Sequence, residues 1–582
     1  MNKKLFLLLL IPALLFIGAY GYIRYSLENN IKQNGKKIST ETKKADTSET
    51  KQTSALDLRP MFKEYLQKLV AKTSNDIYDL SIDSMQVDLL TSTAALHHVV
   101  LKPDRQRADS LQKLGLAPNE TFALSFQKLE VIGINLGDAI TSKTMDYKLV
   151  KLTNPVFEIY QKKNTKEIKE DFTRRFLKEM KKLSVQNLVV QGGRIIIHKE
   201  GKKDNLLKDV FIDMKDILVD STTRNDKNRF LFAKKANLSF KDYKTVAANG
   251  QYNFTVAKVN VLAPEQRLTL SGVSFSPPIG KKEFSRRQKF SKEFYSFSFP
   301  SITVTSVDWW NLVNEEEILA KEIHLNGGKL FVYLDRSLRP KSKMGSFPVQ
   351  LLMKLPVKIS VERLRANNID LAYEEYNPIS KQSGTIYMDN VNMDMTDISN
   401  LEQKMAKPVT VHATALFMHK IPIKADFVFN RANYKSGGFT ARINSDKDFD
   451  GSAINSFAMP MGLVKIEKGS LQKLQANMKG DELQASGEIT ILYKDLKLHL
   501  LEKDKGEKEL DKKGVTTLFA NMFVLKKDNP KEGDEPRKEQ VQFKRIPEGG
   551  FFMLVWKTIL TGGLKTIGAP TRIASKTVTV SK

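Results

Sequence analysis

Over most of its length the chain alternates apolar and polar side chains in short runs, as in Val150 and Leu152 flanking Lys151, and Gly, Asn and Pro break the runs. Period-two alternation marks half-buried strands with one apolar and one wet face. Helical spacing is confined to three places. Pro60 to Lys72 carries Met61, Phe62, Tyr65, Leu66, Leu69 and Val70; Thr165 to Lys182 carries Ile168, Phe172, Phe176 and Met180; and Gln350 to Leu355 reads as the remnant of an equivalent helix.

Laid on itself at a shift of about 174 residues, the sequence repeats short blocks in the same order, as a duplicated supersecondary unit would. Val87, Val99, Leu101 and Pro103 fall on Val261, Val273, Phe275 and Pro277. Leu129 to Tyr160 runs without a gap against Ile302 to Tyr333, so that Val131, Val150, Leu152, Phe157 and Ile159 meet Val304, Ile323, Leu325, Leu330 and Val332. Further on, Leu188 falls on Leu364 and Met214 on Met388. A smaller echo recurs in VKLTNPVFEIY, LVVQGGRIIIH, IHLNGGKLFVY and LRANNIDLAY, where Asn-Pro, Gly-Gly and Asn-Asn predict a hairpin or a sharp corner between two strands.

The two ends read differently. Leu5 to Ile23 is a charge-free run behind Lys3 and Lys4, close to the roughly 20 residues that cross a bilayer core as helix. A cleavable signal peptide has the same basic start, but this run is longer than a usual signal core and ends in a poor cleavage site. The lysines place the N-terminus in the cytoplasm and the bulk of the chain outside. Polar residues 26–57 read as a flexible tether. The charge runs in 503–547 read as loops around a short strand, Leu518 to Leu525. Phe551, Phe552, Trp556, Ile559 and Leu560 belong to a segment too short to span, which suits either a helix lying in a membrane interface or one capping the last strands. The resulting division is an anchor (1–25), a tether (26–57), a first β module (58–255), its duplicate (256–456), a C-terminal β block with charged loops (457–547), and an interface helix with tail (548–582).

Composition removes several chemistries. With no cysteine, disulfides, thiolate metal sites and cysteine nucleophiles are excluded. Seven histidines are scattered without metal-type spacing, and no nucleophile elbow, P-loop or dinucleotide fingerprint occurs. The expectation is therefore no cofactor, no metal, no catalytic residue and no enzyme activity. A net charge of +27 raises nucleic acid as a partner, but the lysines and arginines are spread along nearly every strand instead of forming one patch. Such a spread suits anionic phospholipid headgroups better.

These blocks, the N-terminal run and the stretch Phe457 to Leu501 resemble AsmA-like proteins of Gram-negative envelopes, relatives of the TamB and YhdP proteins and, more distantly, of chorein-type bridge-like lipid-transfer proteins. The resemblance implies a mainly β fold: an N-terminal transmembrane helix, then an elongated, curved antiparallel sheet whose concave face is an apolar groove, with few amphipathic helices. Independently, amphipathic strands with too few helices to cover them must bury their apolar face in a sandwich or curl it into a groove. At about 4.8 Å per strand, twenty to twenty-five strands would make a groove on the order of 100 Å. Its candidate lining is Val131, Val150, Leu152, Phe157, Ile159, Leu188, Val190, Ile195 and Ile197 in the first copy, and Val304, Ile323, Leu325, Leu330 and Val332 in the second. The function implied is non-enzymatic binding or conduction of phospholipids for outer-membrane biogenesis. The chain would sit in the inner membrane by a single pass, its bulk periplasmic, with outer-membrane or envelope proteins as further partners and no nucleic acid. An envelope assembly factor without lipid cargo is the first alternative, and an enzyme acting on envelope lipids or glycans a weaker one.

Overall fold

The computed structural model describes residues 63–571 apart from 65, 69, 72–73, 75, 89–90, 114–119, 134–143, 162–180, 200–204, 248–249, 463, 501–525 and 570. The expected span over Leu5–Ile23, the tether, most of the helix over Thr165–Lys182 and the strand Leu518–Leu525 lie outside the described residues. Among the described residues no helix is long and apolar enough to cross a membrane. The fold is mainly β, as the alternation predicts.

One succession of elements occurs twice. Strands β1 (Tyr78–Asp88) and β2 (Thr93–Pro103) lead to helix α1 (Arg105–Lys113), then β3 (Glu120–Ile132), β4 (Thr144–Thr153), β5 (Val156–Gln161), β6 (Lys182–Lys199), β7 (Asn205–Val219) and β8 (Ala233–Ala247). The second round is β9 (Tyr252–Leu262), β10 (Arg267–Ser276), α2 (Lys281–Arg286), β11 (Phe294–Thr305), β12 (Ile318–Asp335), α3 (Pro348–Met353), β13 (Ile359–Asn377), β14 (Gln382–Ser399) and β15 (Val409–Phe417). Strands β16 (Ile421–Phe429), β17 (Phe439–Ser445), β18 (Phe449–Asp450), β19 (Val464–Gly480), β20 (Gln484–Leu500) and β21 (Lys538–Lys544) follow, and α4 (Phe551–Ile567) ends the described chain. Left-handed residues recur at matched places: Ser92 and Gln266, His98 and Gly272, Asn154 and Gly327, Gly192 and Asn368, Asp216 and Asn390.

Those residues correct one expectation. Of the hairpin or sharp corner expected at the Asn-Pro, Gly-Gly and Asn-Asn phrases, the hairpin does not form; three of the four lie inside single strands of 18 or 19 residues, β6, β12 and β13. Gly192 (φ 66°), Gly327 (φ 69°) and Asn368 (φ 55°) take left-handed backbone inside these strands, and the β6–β7 and β13–β14 ladders shift register there. Only Asn154-Pro155 separates two strands, β4 and β5. Pairing is also not antiparallel throughout. β4 and β5 both run parallel to β6, and β12 runs parallel to β13. A parallel neighbour needs a crossover of a dozen or more residues, and residues 336–358, carrying α3, supply one. The run of charges before residue 547 likewise hides a strand: Val541 and Phe543 alternate with polar residues, and β21 pairs with β20 from Lys538 to Lys544.

The described chain forms two compact units. The first holds the described residues up to Lys244 with Ala257–Leu268 and Val313–Glu315; the second holds Thr245–Val256, Thr269–Leu312 and the described residues from Glu316 onward. In the first, the ladder runs β1, β2, β3, then β4 and β5 side by side with β6, then β7 and β8. In the second it runs β11 to β17 in order, then β19, β20 and β21.

The second unit's sheet must be strongly curled. From β12 to β21 there are eight ladder steps, about 38 Å on a flat sheet. Yet Arg545, next after β21, donates from its guanidinium to the Lys343 carbonyl at 2.7 Å, and Lys343 is only eight residues past the end of β12. Eight extended residues reach at most about 29 Å. Helix α4 lies in the hollow so formed, with Phe551, Leu554, Val555, Leu564 and Ile567 packed among Phe429, Phe439, Ala476, Ile489 and Val541. It approaches β20 so closely that a Cβ on Gly562 would sit 2.5 Å from that of Ile489.

Candidate functional site: the apolar face of the sheet

Each left-handed break changes which parity points inward and keeps the apolar side chains on one face. On β12 the inward residues are Ile323 and Leu325 before Gly327, then Leu330 and Val332 after Gly328. Register extends this across strands. Val304 pairs with Ile323, Ile323 with Leu364 and Leu364 with Met395; farther along, Leu330 pairs with Leu371 and Leu371 with Met388. Around Glu322 and Arg363 the opposite face is wet and ion-paired, while toward the end of β12 it packs Tyr333 and Phe331 with Phe284 and Phe294. Arg363 grips Asp394, Arg365 meets Glu322 at 3.1 Å, and His324 meets Glu322 at 3.0 Å. The Arg363 guanidinium accordingly holds the Asp394 carboxyl below its ordinary value.

The two rounds of strands differ in how far this face is open. Val131, Val150, Leu152, Phe157, Leu188, Val190 and Ile195 of the first unit are 0–5% exposed, so they are packed core and present no accessible wall. Their neighbours Ile159 and Ile197 are half-buried. In the second unit all five expected residues, Val304, Ile323, Leu325, Leu330 and Val332, are half-buried, as are Leu364, Leu371, Met388, Met393 and Met395. A half-exposed apolar band therefore runs over β11 to β14, and α4 closes the hollow beyond it.

The residues expected at a membrane interface are divided by that packing. Phe551 is 5% exposed with its ring 4.9–5.8 Å from those of Phe347, Phe427, Phe429 and Phe439, whereas Phe552 is 69% exposed. Trp556, Ile559 and Leu560 are half-buried, and Trp556 meets the edge of Phe457 at 6.0 Å. The segment thus packs as a capping helix in this structure. Trp309 and Trp310 sit half-buried in the turn between β11 and β12.

Sequence reasoning missed a charged cluster in the hollow. Arg336 pairs with Glu375, whose side chain is 5% exposed, and Lys343 pairs with Glu293. Lys557 of α4 is buried nearby with its ammonium 4.7 Å from the Trp556 ring centre. These residues sit among ordinary surface-type charges in the sequence, and only the curl brings them inward. Burial, reinforced by the Arg336 guanidinium, pushes Lys557 down from 10.5 to about 8. A lowered folded value means that between about pH 8 and pH 10.5 the unfolded chain keeps a proton the folded chain lacks, so this lysine's stability contribution grows as pH rises through that window and is weakest below it. The full difference is on the order of 3 kcal/mol. Hydrogen exchange of α4, corrected for intrinsic rates, is expected to slow between pH 7.5 and pH 9.5, taken as roughly bracketing the lower value; Lys557→Met should remove that slope, and an unchanged slope in the variant would assign it elsewhere.

Six of the seven histidines have a carboxylate beside them, as with His198 and Glu158 at 2.9 Å or His412 and Asp426 at 2.6 Å, and His97 has none among the described residues. Among the described residues no three metal-capable side chains converge. No protein-family model matches the chain, and no curated protein matches it.

Proposed function

We propose that the chain is a non-enzymatic, membrane-anchored periplasmic protein that binds or conducts phospholipids along the apolar face of its curled sheet, in support of outer-membrane biogenesis. One observation carries the reading: the half-exposed apolar band from Val304 and Ile323 to Met395, backed over Glu322, Arg363 and Asp394 by an ion-paired wet face. A surface of this kind suits acyl chains, since stripping water from an apolar band is favourable at about 25 cal/mol per Å² while headgroups stay among charges. Anchoring rests on the run from Leu5 to Ile23.

A photo-crosslinking residue placed in the full chain at Leu325 or Val332 is expected to yield phospholipid adducts, and one at His324, on the other face, none. Organic extraction of the purified protein should release phospholipid in stoichiometric amount. Equal labelling at all three positions, or repeated absence of lipid, would replace this reading with the envelope assembly factor. That second reading draws its own support from the first unit, whose matching face is closed.

A further inference from the structure

Charged side chains stand on the apolar face at one end of the half-exposed band. Along β12 and β13 the inward pairs are Leu330 with Leu371, Val332 with Tyr373, and then Leu334 with Glu375. By the same period of two, Arg336 follows Leu334, and Glu293 precedes Tyr295, the partner of Val332. The pattern calls for apolar residues at these places. Instead Arg336 pairs with Glu375 and Lys343 with Glu293, Tyr373 donates to Glu375 at 2.7 Å, and Lys557 of α4 lies close to Arg336. Charge placed on a face that otherwise sheds water costs stability, and such departures from pattern are expected at functional or strained sites. The cluster can be reached from outside. Glu293 and Lys343 are partly exposed, Tyr295 is 41% exposed, and a cleft lined by Leu334, Arg336, Lys341, Lys343, Glu548 and Met553 opens on it.

We infer that this cluster is the headgroup subsite for a zwitterionic phospholipid carrying a primary ammonium, whose acyl chains lie along the strands from Val332 toward Ile323. The inference rests on the proposed function and adds to it which lipid is preferred and how it is oriented. Both signs stand side by side: the Glu293 and Glu375 carboxylates face an ammonium, and Arg336, Lys343 and Lys557 face a phosphate, while Lys341 and Glu548 offset each other at the rim. A headgroup with one charge of each sign can enter between a cation and its carboxylate and leave both partnered. A headgroup with phosphate alone would set its charge beside two carboxylates, and like charges brought together are what select against a wrong partner. The band has the length for the rest of the molecule. From Ile323 to Leu334 the strand runs about 35 Å, against roughly 15 Å for the acyl region of one leaflet.

Full-length protein in detergent micelles would be titrated with phosphatidylethanolamine and phosphatidylglycerol of identical acyl chains, mixed in equal amounts, and the bound lipid counted by native mass spectrometry. Phosphatidylethanolamine should be favoured about tenfold, and phosphatidylcholine, whose quaternary ammonium has no hydrogen to donate, should be held no better than phosphatidylglycerol. Glu293→Gln, on the partly exposed side of the cluster, should bring the preference close to one, and Glu375→Gln should act likewise in a protein whose α4 keeps wild-type hydrogen exchange. Glu374→Gln is the control, since Glu374 lies one residue away on the opposite face, paired with Lys281. Equal binding of the two lipids by the wild type overturns the subsite and leaves the apolar face as a lipid surface. A preference that survives Glu293→Gln, or that Glu374→Gln removes equally, also overturns it. Binding of neither lipid would end the proposed function, and this inference with it.

Discussion

Arg545→Ala is expected to loosen the second unit by about 3–5 kcal/mol, the usual cost of removing one member of a buried, hydrogen-bonded charge site. Its side chain is 2% exposed and reaches three backbone segments at once. It donates to the Gly549 carbonyl at 2.9 Å, to the Glu482 carbonyl at 3.2 Å and to the Lys343 carbonyl at 2.7 Å, while its plane lies 4.3 Å from the centre of the Phe347 ring. Alanine would leave those acceptors facing a cavity with no donor. Lysine keeps the charge but not the planar fork, so Arg545→Lys should recover less than half of the loss. Since a protein of two units need not unfold in one step, the measurement is hydrogen exchange resolved over 338–357 and 545–567. Wild-type protection in both segments of the alanine variant would show that Arg545 does not hold them.

Phe551→Ala should cost a similar amount, about 3–5 kcal/mol, through the cavity it opens among four aromatic rings. Its neighbour provides the internal comparison. Phe552, 69% exposed, should change stability by about 0.5 kcal/mol or less when truncated. Exchange rates in α4 would separate the two variants. If protection of α4 fell equally in both variants, the helix would be held by something other than the face that carries Phe551.

Much of the strand content was legible because alternation with a period of two is a local property. Val150 and Leu152, or Ile323 and Leu325, announce one face whatever they pack against. The offset of about 174 residues was legible for the same reason, and the matched left-handed positions now give it a geometric counterpart. The bulges could not be told from hairpins or sharp corners, because Gly-Gly and Asn-Asn suit all of them. A turn and a bulge each need a residue with positive φ, and only long-range pairing tells whether the chain reverses or continues. Parallel pairing at β12 and β13 was hidden likewise, since the residues between two strands do not state on which side the chain returns. Strand β21 escaped notice because its two apolar residues are embedded in charge, and partnership with β20 is what orders it.

The candidate face was only half legible. Equivalent residues such as Leu152 and Leu325 have the same spacing and similar neighbours, yet one is 0% exposed and the other half-buried. Arg545, Lys557 and the Arg336–Glu375 pair carried no signal at all. In a strand or helix pattern they look like solvated charges, and nothing nearby in sequence reveals that a sheet curls over them.

By itself, then, the order of side chains determined that the fold is mainly β and where residues suited to left-handed backbone interrupt the strands, because each depends on neighbours within a few positions. Tertiary structure alone decided which stretches of the apolar face are sealed, what fills the hollow, and which charges end up inside it. Solvent access is set by what approaches from distant parts of the chain, and curvature accumulated over eight ladder steps brings residues more than two hundred positions apart, Lys343 and Arg545, into contact.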